Sequence, residues 1–246
     1  MPRHMNQPQH YHDIAGMIDH ALLLPTLTAG DIDAGIDLAL AYEVASVCIM
    51  PYALPHLVQR LAGSRVRPST TIGFPHGGHS ALAKRAEAER AISDGAEELD
   101  MVVNISLVLS GRWDSVAADI DGVVAPAHAA GRKVKVIFET CLLSEAAKIE
   151  LCSICTSLGV DWVKTSTGFS SGGATPEDVA LLRAHCPRSV QVKASGGVGD
   201  LAAVLHYRSL GATRIGTSRT PRILDAWREH IGLPQIAWQA QSPPGY

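Results

Sequence analysis

The stretch KVKVIFETCLLSEAAKIELCSICTSLGVDWVKTSTG, residues 133–168, changes its hydrophobic pattern twice. Its opening, KVKVIFE (133–139), is a short run rich in β-branched and apolar residues and predicts a strand. Ser144 then stands as an N-cap ahead of EAAK, and the helix predicted over 144–158 stops at Gly159. DWVKT (161–165) returns to a strand. Strand, helix and strand with short connections form a parallel β-α-β unit.

The same alternation extends in both directions. Strands are predicted over 14–18, 45–50, 69–74 and 97–103 before this unit, and over 189–194 and 213–217 after it. Helices are predicted over 29–43, 53–62, 80–94, 113–130, 176–185, 200–210 and 220–230. Most of the strands are almost wholly apolar, as expected of strands buried on both faces. Thr28 and the pair Thr175-Pro176 mark helix starts; Gly63, Gly95, Gly131 and Gly211 mark helix ends. Eight such β-then-α units predict a single-domain (β/α)8 TIM barrel over residues 1–246, with an open doubly wound sheet as the rival arrangement. Residues 1–12 are expected as a polar N-terminal extension, and about 233–246 as a tail whose Pro-Pro-Gly end is mobile.

Composition narrows the partners. The chain is 46% hydrophobic and 18% charged with a formal net charge of −3, so no basic field points to nucleic acid. No apolar run approaches the roughly 20 residues of a membrane span, and residues 1–12, with His4, His10 and His12, do not read as a secretory leader. A cytoplasmic protein is expected. Cys48, Cys141, Cys152, Cys155 and Cys186 form no disulfide framework, and Cys152 and Cys155 fall inside a predicted helix as buried residues rather than a redox or zinc pair. No cluster of metal-ligating residues falls at the strand ends, so no metal is expected.

A barrel of this kind carries its active site where the strands end. Asp19 ends the first predicted strand, Cys48 lies in the second, Asp100 in the fourth, Glu139 ends the fifth, and Lys164 and Lys193 lie in the sixth and seventh. A lysine is almost never buried without a partner. Both lysines are therefore expected to point inward, close together, each depressing the other's pKa. A neutral amine is what a Schiff-base nucleophile requires. The alternative is a pair neutralised by Asp19, Asp100 and Glu139 without chemistry. Asp100 is the better proton shuttle; Glu139 reads equally as a shuttle or a structural salt-bridge partner. Glycine-bearing loops KTSTGFSSGG (164–173), ASGGVGD (194–200) and RIGTSR (214–219) predict a phosphate site. His76 and His79, in the loop after the third strand, read as surface residues.

The runs IDHALLLP (18–25), ASVCIMP (45–51), TIGFPHGG (71–78), GAEELDMVVN (95–104), KVIFETCLL (135–143), DWVKTSTGFSSGGAT (161–175), VKASGGV (192–198) and GATRIGTS (211–218) closely resemble the deoxyribose-phosphate aldolases, in order over roughly residues 14–228. The resemblance implies a metal-free and cofactor-free class I aldolase that reversibly cleaves 2-deoxy-D-ribose 5-phosphate to D-glyceraldehyde 3-phosphate and acetaldehyde. It implies Lys164 as the Schiff-base lysine, Lys193 as the residue that tunes it, Asp100 and Asp19 in proton transfer, and a terminal Tyr246 near the same site. Substrate or phosphate contacts are expected at Thr167, Gly168, Gly196, Gly197, Gly216, Ser218, Arg219 and Cys48. The implied partner is a small phosphorylated aldehyde or sugar, with neither nucleic acid nor membrane, and the implied assembly is a homodimer.

The chain departs from the family pattern at Ala21, Leu24, Met50, Gly199 and Arg219. Arg219 stands where a serine is common, while Gly199 stands where an arginine is common. Either a basic group has moved between phosphate loops, or Arg219 opens a helix and faces solvent. Two further functions stay open: a related Schiff-base aldolase with another aldehyde, and a phosphate-binding barrel without catalysis.

Overall fold

Eight parallel strands pair in sequence order and close into a barrel: β1 (Ile18–Leu22), β2 (Ser46–Ile49), β3 (Arg67–Ile72), β4 (Glu98–Val102), β5 (Lys133–Ile137), β6 (Trp162–Lys164), β7 (Gln191–Ser195) and β8 (Arg214–Thr217), which returns to β1. The computed structural model describes residues 7–236. The helices are α1 (His12–Ala15), α2 (Ala29–Ala41), α3 (Leu54–Leu61), α4 (Ala81–Ser93), α5 (Ile105–Leu109), α6 (Trp113–Ala129), α7 (Glu145–Ser157), α8 (Pro176–His185), α9 (Leu201–Ser209) and α10 (Thr220–His230). This is the expected (β/α)8 architecture.

Local chemistry explains the helix starts. Thr28 and Asp31 form a reciprocal capping box on α2, while Ser80, Ser144 and Thr175 each accept a backbone N–H in the first turn of α4, α7 and α8. Outward strand residues Ile18, Val47, Leu99, Val136, Val163 and Ile215 meet Ile36, Leu57, Val123, Leu182 and Leu224 from the helix layer, all fully buried. Each such burial contributes about 1.5–3 kcal/mol.

The strands are not uniformly apolar. Side chains alternate across a strand, and the inward positions carry Asp19, Ser46, Ser69, Glu98, Asp100, Lys135, Lys164, Lys193 and Arg214, all buried. The outward face, against the helices, is mostly apolar, with His20 and Thr70 as buried polar exceptions.

Residues 14–18 are a correction. The apolar run IAGMI is not a strand: α1 occupies His12–Ala15, and β1 begins at Ile18. The Asp13 carboxylate accepts from the N–H groups of Gln9 and His10 at 2.7 and 2.9 Å, which winds a turn just before the apolar residues. Trp227 Nε1 of α10 donates to the carbonyls of His10 and Tyr11 and docks that turn. Asp19 consequently lies within β1, not at its end. Glu139 is likewise outside its predicted strand: β5 ends at Ile137, and Glu139 adopts a left-handed conformation with φ 57°. The expected mobile Pro-Pro-Gly end of the tail lies outside the described residues.

Candidate active site

At the C-terminal ends of the strands opens a cavity of about 470 Å³. Asp19, Cys48, Lys164 and Lys193 line its deep end, and the loops after β6, β7 and β8 line its mouth. Lys164 and Lys193 are direct partners across the β6–β7 ladder, so period-2 alternation sends both side chains inward at one level.

Asp100 sits between them. Its Oδ2 accepts from Lys164 Nζ at 2.7 Å and from Lys193 Nζ at 2.8 Å. Its Oδ1 accepts from Lys135 Nζ at 2.8 Å. Lys193 Nζ is also 2.6 Å from Asp19 Oδ2. Beneath this layer Lys135 reaches Glu98 at 2.5 Å, and Arg214 forks onto Glu98 at 2.9 and 3.0 Å while touching Asp19 at 2.6 Å. Ser46 Oγ donates to Asp19 at 2.6 Å.

Four basic side chains thus share three carboxylates in a water-poor interior, and the charges balance when one base is neutral. Burial pushes Lys164 down, with the nearby Lys193 cation adding to it, and Asp100 alone does not reverse the shift. Burial acts on Lys193 too, but Asp100 and Asp19 together outweigh it, and its pKa is raised. Burial also opposes charge on Lys135, yet Asp100, Glu98 and Asp19 hold it firmly protonated. Asp19, Glu98 and Asp100 all stay ionised because the surrounding cations overcome their desolvation. The expectation that both facing lysines are depressed is therefore corrected: only Lys164 is. Lys193 escapes because a second carboxylate from β1 reaches it.

Cys48 is buried at the cavity's deep end, and burial raises its thiol to about 11. Glu139 joins no lysine; its carboxylate accepts from the Thr167 hydroxyl and backbone N–H and ties the loop after β6 to the end of β5. Among the described residues it forms no salt bridge, and in this structure it holds the loop after β6.

The mouth is built from glycine. A Cβ on Gly173 would lie 2.3 Å from the Gly196 carbonyl oxygen, so the loops after β6 and β7 approach as closely as they do only without side chains. Ala174 N donates to the Ser195 and Gly196 carbonyls and locks the two loops together. Thr167, Gly168, Gly196, Gly197, Gly216, Ser218 and Arg219 all line the cavity. Arg219 is the N-cap of α10 and makes no side-chain cap there, whereas Asp200 caps α9 with its own carboxylate. An anion is favoured at the first of these ends. Arg219 and Arg222 stand at the rim, and Ala21 and Leu24 contribute an apolar wall.

Sequence reasoning passed over Lys135, Glu98, Arg214 and Arg222. The first three lie two residues before Ile137, Asp100 and Gly216, on the same strand face, and the alternation could have found them. Tyr246 lies outside the described residues. His76 and His79 are exposed and do not line the cavity. Met50 does not line it either. Cys152 and Cys155 are buried in α7 as free thiols, and among the described residues no group of side chains is placed to hold a metal ion. No helix among them is long and apolar enough to cross a membrane.

Residues 14–216 match a family model described as DeoC/LacD family aldolase. A deoxyribose-phosphate aldolase of Rhodopirellula baltica is 59% identical over 236 residues, covering 96% of this chain and 98% of that one. A deoxyribose-phosphate aldolase of Actinobacillus succinogenes is 43% identical over 89% of this chain and 97% of its own. The solved deoxyribose phosphate aldolase of Aeropyrum pernix, which is tetrameric, superimposes with a TM-score of 0.82 at 31% identity, covering 90% of this chain and 93% of that one.

Proposed function

The chain belongs to the DeoC/LacD family of aldolases, and from that premise we propose how its buried charges carry out the reaction. It is a carbon-carbon lyase that reversibly cleaves 2-deoxy-D-ribose 5-phosphate to D-glyceraldehyde 3-phosphate and acetaldehyde. The neutral amine of Lys164 attacks C1 of the open-chain sugar, and loss of water gives a protonated imine. Lys193, neutral after donating to the departing water, takes up the C3 hydroxyl proton as the C2–C3 bond breaks; the electron pair of that bond passes into the imine and leaves an enamine on Lys164. D-glyceraldehyde 3-phosphate departs, C2 takes a proton, and water releases acetaldehyde.

In this scheme Lys193, held cationic, donates toward the departing water, while Asp100 and Asp19 hold the two amines in place and pass protons between them. Backbone N–H groups of Gly168, Gly196, Gly197 and Gly216, the Thr167 and Ser218 hydroxyls and the Arg219 cation receive the phosphate. Cys48 bounds the acetaldehyde end. Tyr246 is proposed as a further proton carrier at C2, read by slower hydrogen exchange of acetaldehyde when it is removed.

The observation that carries this reading is the division of the lysines: of the two that line the cavity, Lys164 is lowered and Lys193 is raised, as is Lys135 beneath them. Borohydride reduction in the presence of acetaldehyde, followed by peptide mass spectrometry, tests it. An ethyl group confined to Lys164 is expected; an adduct on Lys193, or none, would overturn the assignment. We also propose a cytoplasmic homodimer: free buried thiols suit a reducing compartment, and the dimer rests on family resemblance and is read by light scattering.

A further inference from the structure

Among the described residues that line the cavity, Ser195 holds a buried hydroxyl that makes no hydrogen bond. Ser166 and Thr140 also carry unpaired buried hydroxyls, but neither lines the cavity. The Ser195 backbone is fully engaged. Its N–H donates to Thr165 Oγ1 at 3.1 Å, and its carbonyl accepts from Thr165 Oγ1 at 3.1 Å and from Ala174 N at 2.9 Å. The strand is thus fixed on both sides while the hydroxyl is left over. Leaving a buried hydroxyl unpaired is unfavourable, and one held on a rigid strand and aimed into a cavity is poised for a ligand.

Its height in the barrel says which part of the ligand. Ser195 follows Lys193 by two residues on β7, so it shares the inward face and stands roughly 6.5 Å nearer the mouth. Its ladder partner is Gly216, where a Cβ would fall 2.4 Å from Ser195 Oγ. The hydroxyl therefore projects into space that a missing side chain on β8 leaves open. Below it are the amines of Lys164 and Lys193; above it are the Gly196-Gly197 turn and the Ser218–Arg219 segment.

A five-carbon chain tethered at C1 to Lys164, with its C5 phosphate among those loops, must pass this level. C3 carries the hydroxyl that reacts. C4, next to the phosphate-bearing carbon, carries the one that does not. We infer that Ser195 Oγ hydrogen-bonds the C4 hydroxyl, which is the 2-hydroxyl of the glyceraldehyde 3-phosphate released. Ser195 is then a specificity-determining residue that selects a hydroxylated acceptor over a bare phosphorylated aldehyde. The inference rests on Lys164 as the imine-forming residue.

Rates of the synthetic reaction test it, with acetaldehyde as donor and either D-glyceraldehyde 3-phosphate or 3-oxopropyl phosphate, which lacks the 2-hydroxyl, as acceptor. The unaltered enzyme is expected to prefer the hydroxylated acceptor by about tenfold or more in kcat/KM. Ser195→Ala is expected to lower kcat/KM about tenfold for the hydroxylated acceptor and to leave it unchanged for the other. Equal losses on both acceptors, loss on neither, or no acceptor preference in the unaltered enzyme would overturn the role of Ser195. Borohydride trapping keeps the two readings apart. Failure of the unaltered enzyme to trap acetaldehyde on Lys164 overturns the aldolase chemistry, whereas normal trapping with equal acceptor losses overturns Ser195 alone.

Discussion

Lys164 and Lys193 face each other on adjacent strands and converge on one oxygen, Asp100 Oδ2, at 2.7 and 2.8 Å. The difference between them lies in what else they touch. Lys193 has a second carboxylate, Asp19, at 2.6 Å; among the described residues Lys164 has only Asp100. Two ammonium groups sharing one oxygen repel, and the less well-paired one holds its proton less tightly. Asp19, on the opposite side of β7 and β8 from Lys164, thereby sets which of the two lysines is the weaker base. Three carboxylates then hold Lys135, Lys193 and Arg214, and Lys164 is left with the weakest hold on its proton.

Lys164→Met should abolish imine trapping and aldol cleavage without unfolding the barrel. The sign of its effect on stability follows from the depressed pKa. Between the folded pKa of Lys164 and the ordinary lysine range, the unfolded chain binds a proton that the native chain does not, so native stability rises with pH across that window. The methionine variant lacks this rise. Urea midpoints from pH 7 to pH 10 should climb for the unaltered protein and stay flatter for the variant; identical slopes would show that Lys164 is not the depressed base.

Lys193→Leu removes a cation from the balanced set. Lys164 then becomes the third base for three carboxylates and takes up a proton. Imine formation at pH 7 should fall at least about tenfold, because the Lys164 pKa rises once the neighbouring cation is gone, and should recover as pH is raised toward 10. Single-turnover trapping across that range reads it. A loss that does not recover with pH would mean that proton donation by Lys193 outweighs its effect on the charge of Lys164.

The units of strand and helix were readable because their hydrophobic periods differ, and the seven central and C-terminal strands fall within two residues of expectation. The first strand was misplaced because IAGMI is apolar in either state, and the turn at Asp13 depends on where its carboxylate points. Lys164, Lys193 and Asp100 stood out as charges in apolar runs. Lys135, Glu98 and Arg214 did not, since each lies near a strand's start and was judged by position along the strand rather than by face. The pKa of Lys193 was beyond sequence altogether, because it depends on a carboxylate from β1 closing the barrel against β8. Nothing in the residue Glu139 announces its left-handed backbone or its bond to Thr167.

Glu98→Gln should be the most destabilising change in the deep layer. Glu98 balances Lys135 at 2.5 Å and receives both forks of Arg214, and removing one partner of a buried ion network costs about 3–5 kcal/mol. The effect is tied to pH. Asp19, Glu98 and Asp100 have depressed folded pKa values, so their stabilisation is present above the unfolded carboxylate range, near ~4, and is lost as pH falls through the folded values. Urea unfolding at pH 7 should show the full deficit. Below pH 4 the unaltered protein loses stability faster than the variant, and the two curves should approach; parallel curves would remove Glu98 from the titrating set.

Gly216→Ala tests whether the missing side chain on β8 serves the chemistry. The added Cβ would lie 2.4 Å from Ser195 Oγ, 3.1 Å from Ser195 Cβ and 3.2 Å from Lys193 Cε. The hydroxyl can rotate away, but the Ser195 Cβ is fixed by a doubly bonded strand, and Lys193 is held by two carboxylates. The strain should cost about 1–3 kcal/mol of stability. It should also displace the Lys193 amine, so that kcat falls at least about tenfold while KM changes little, as expected when an interaction made in the transition state is lost. Gly199→Ala is the control: its Cβ meets nothing nearer than the Gly197 carbonyl oxygen at 4.0 Å, and unfolding should not register it. If the two variants lose stability equally, the gap at Gly216 is not what lets Lys193 and Ser195 share the mouth of the barrel.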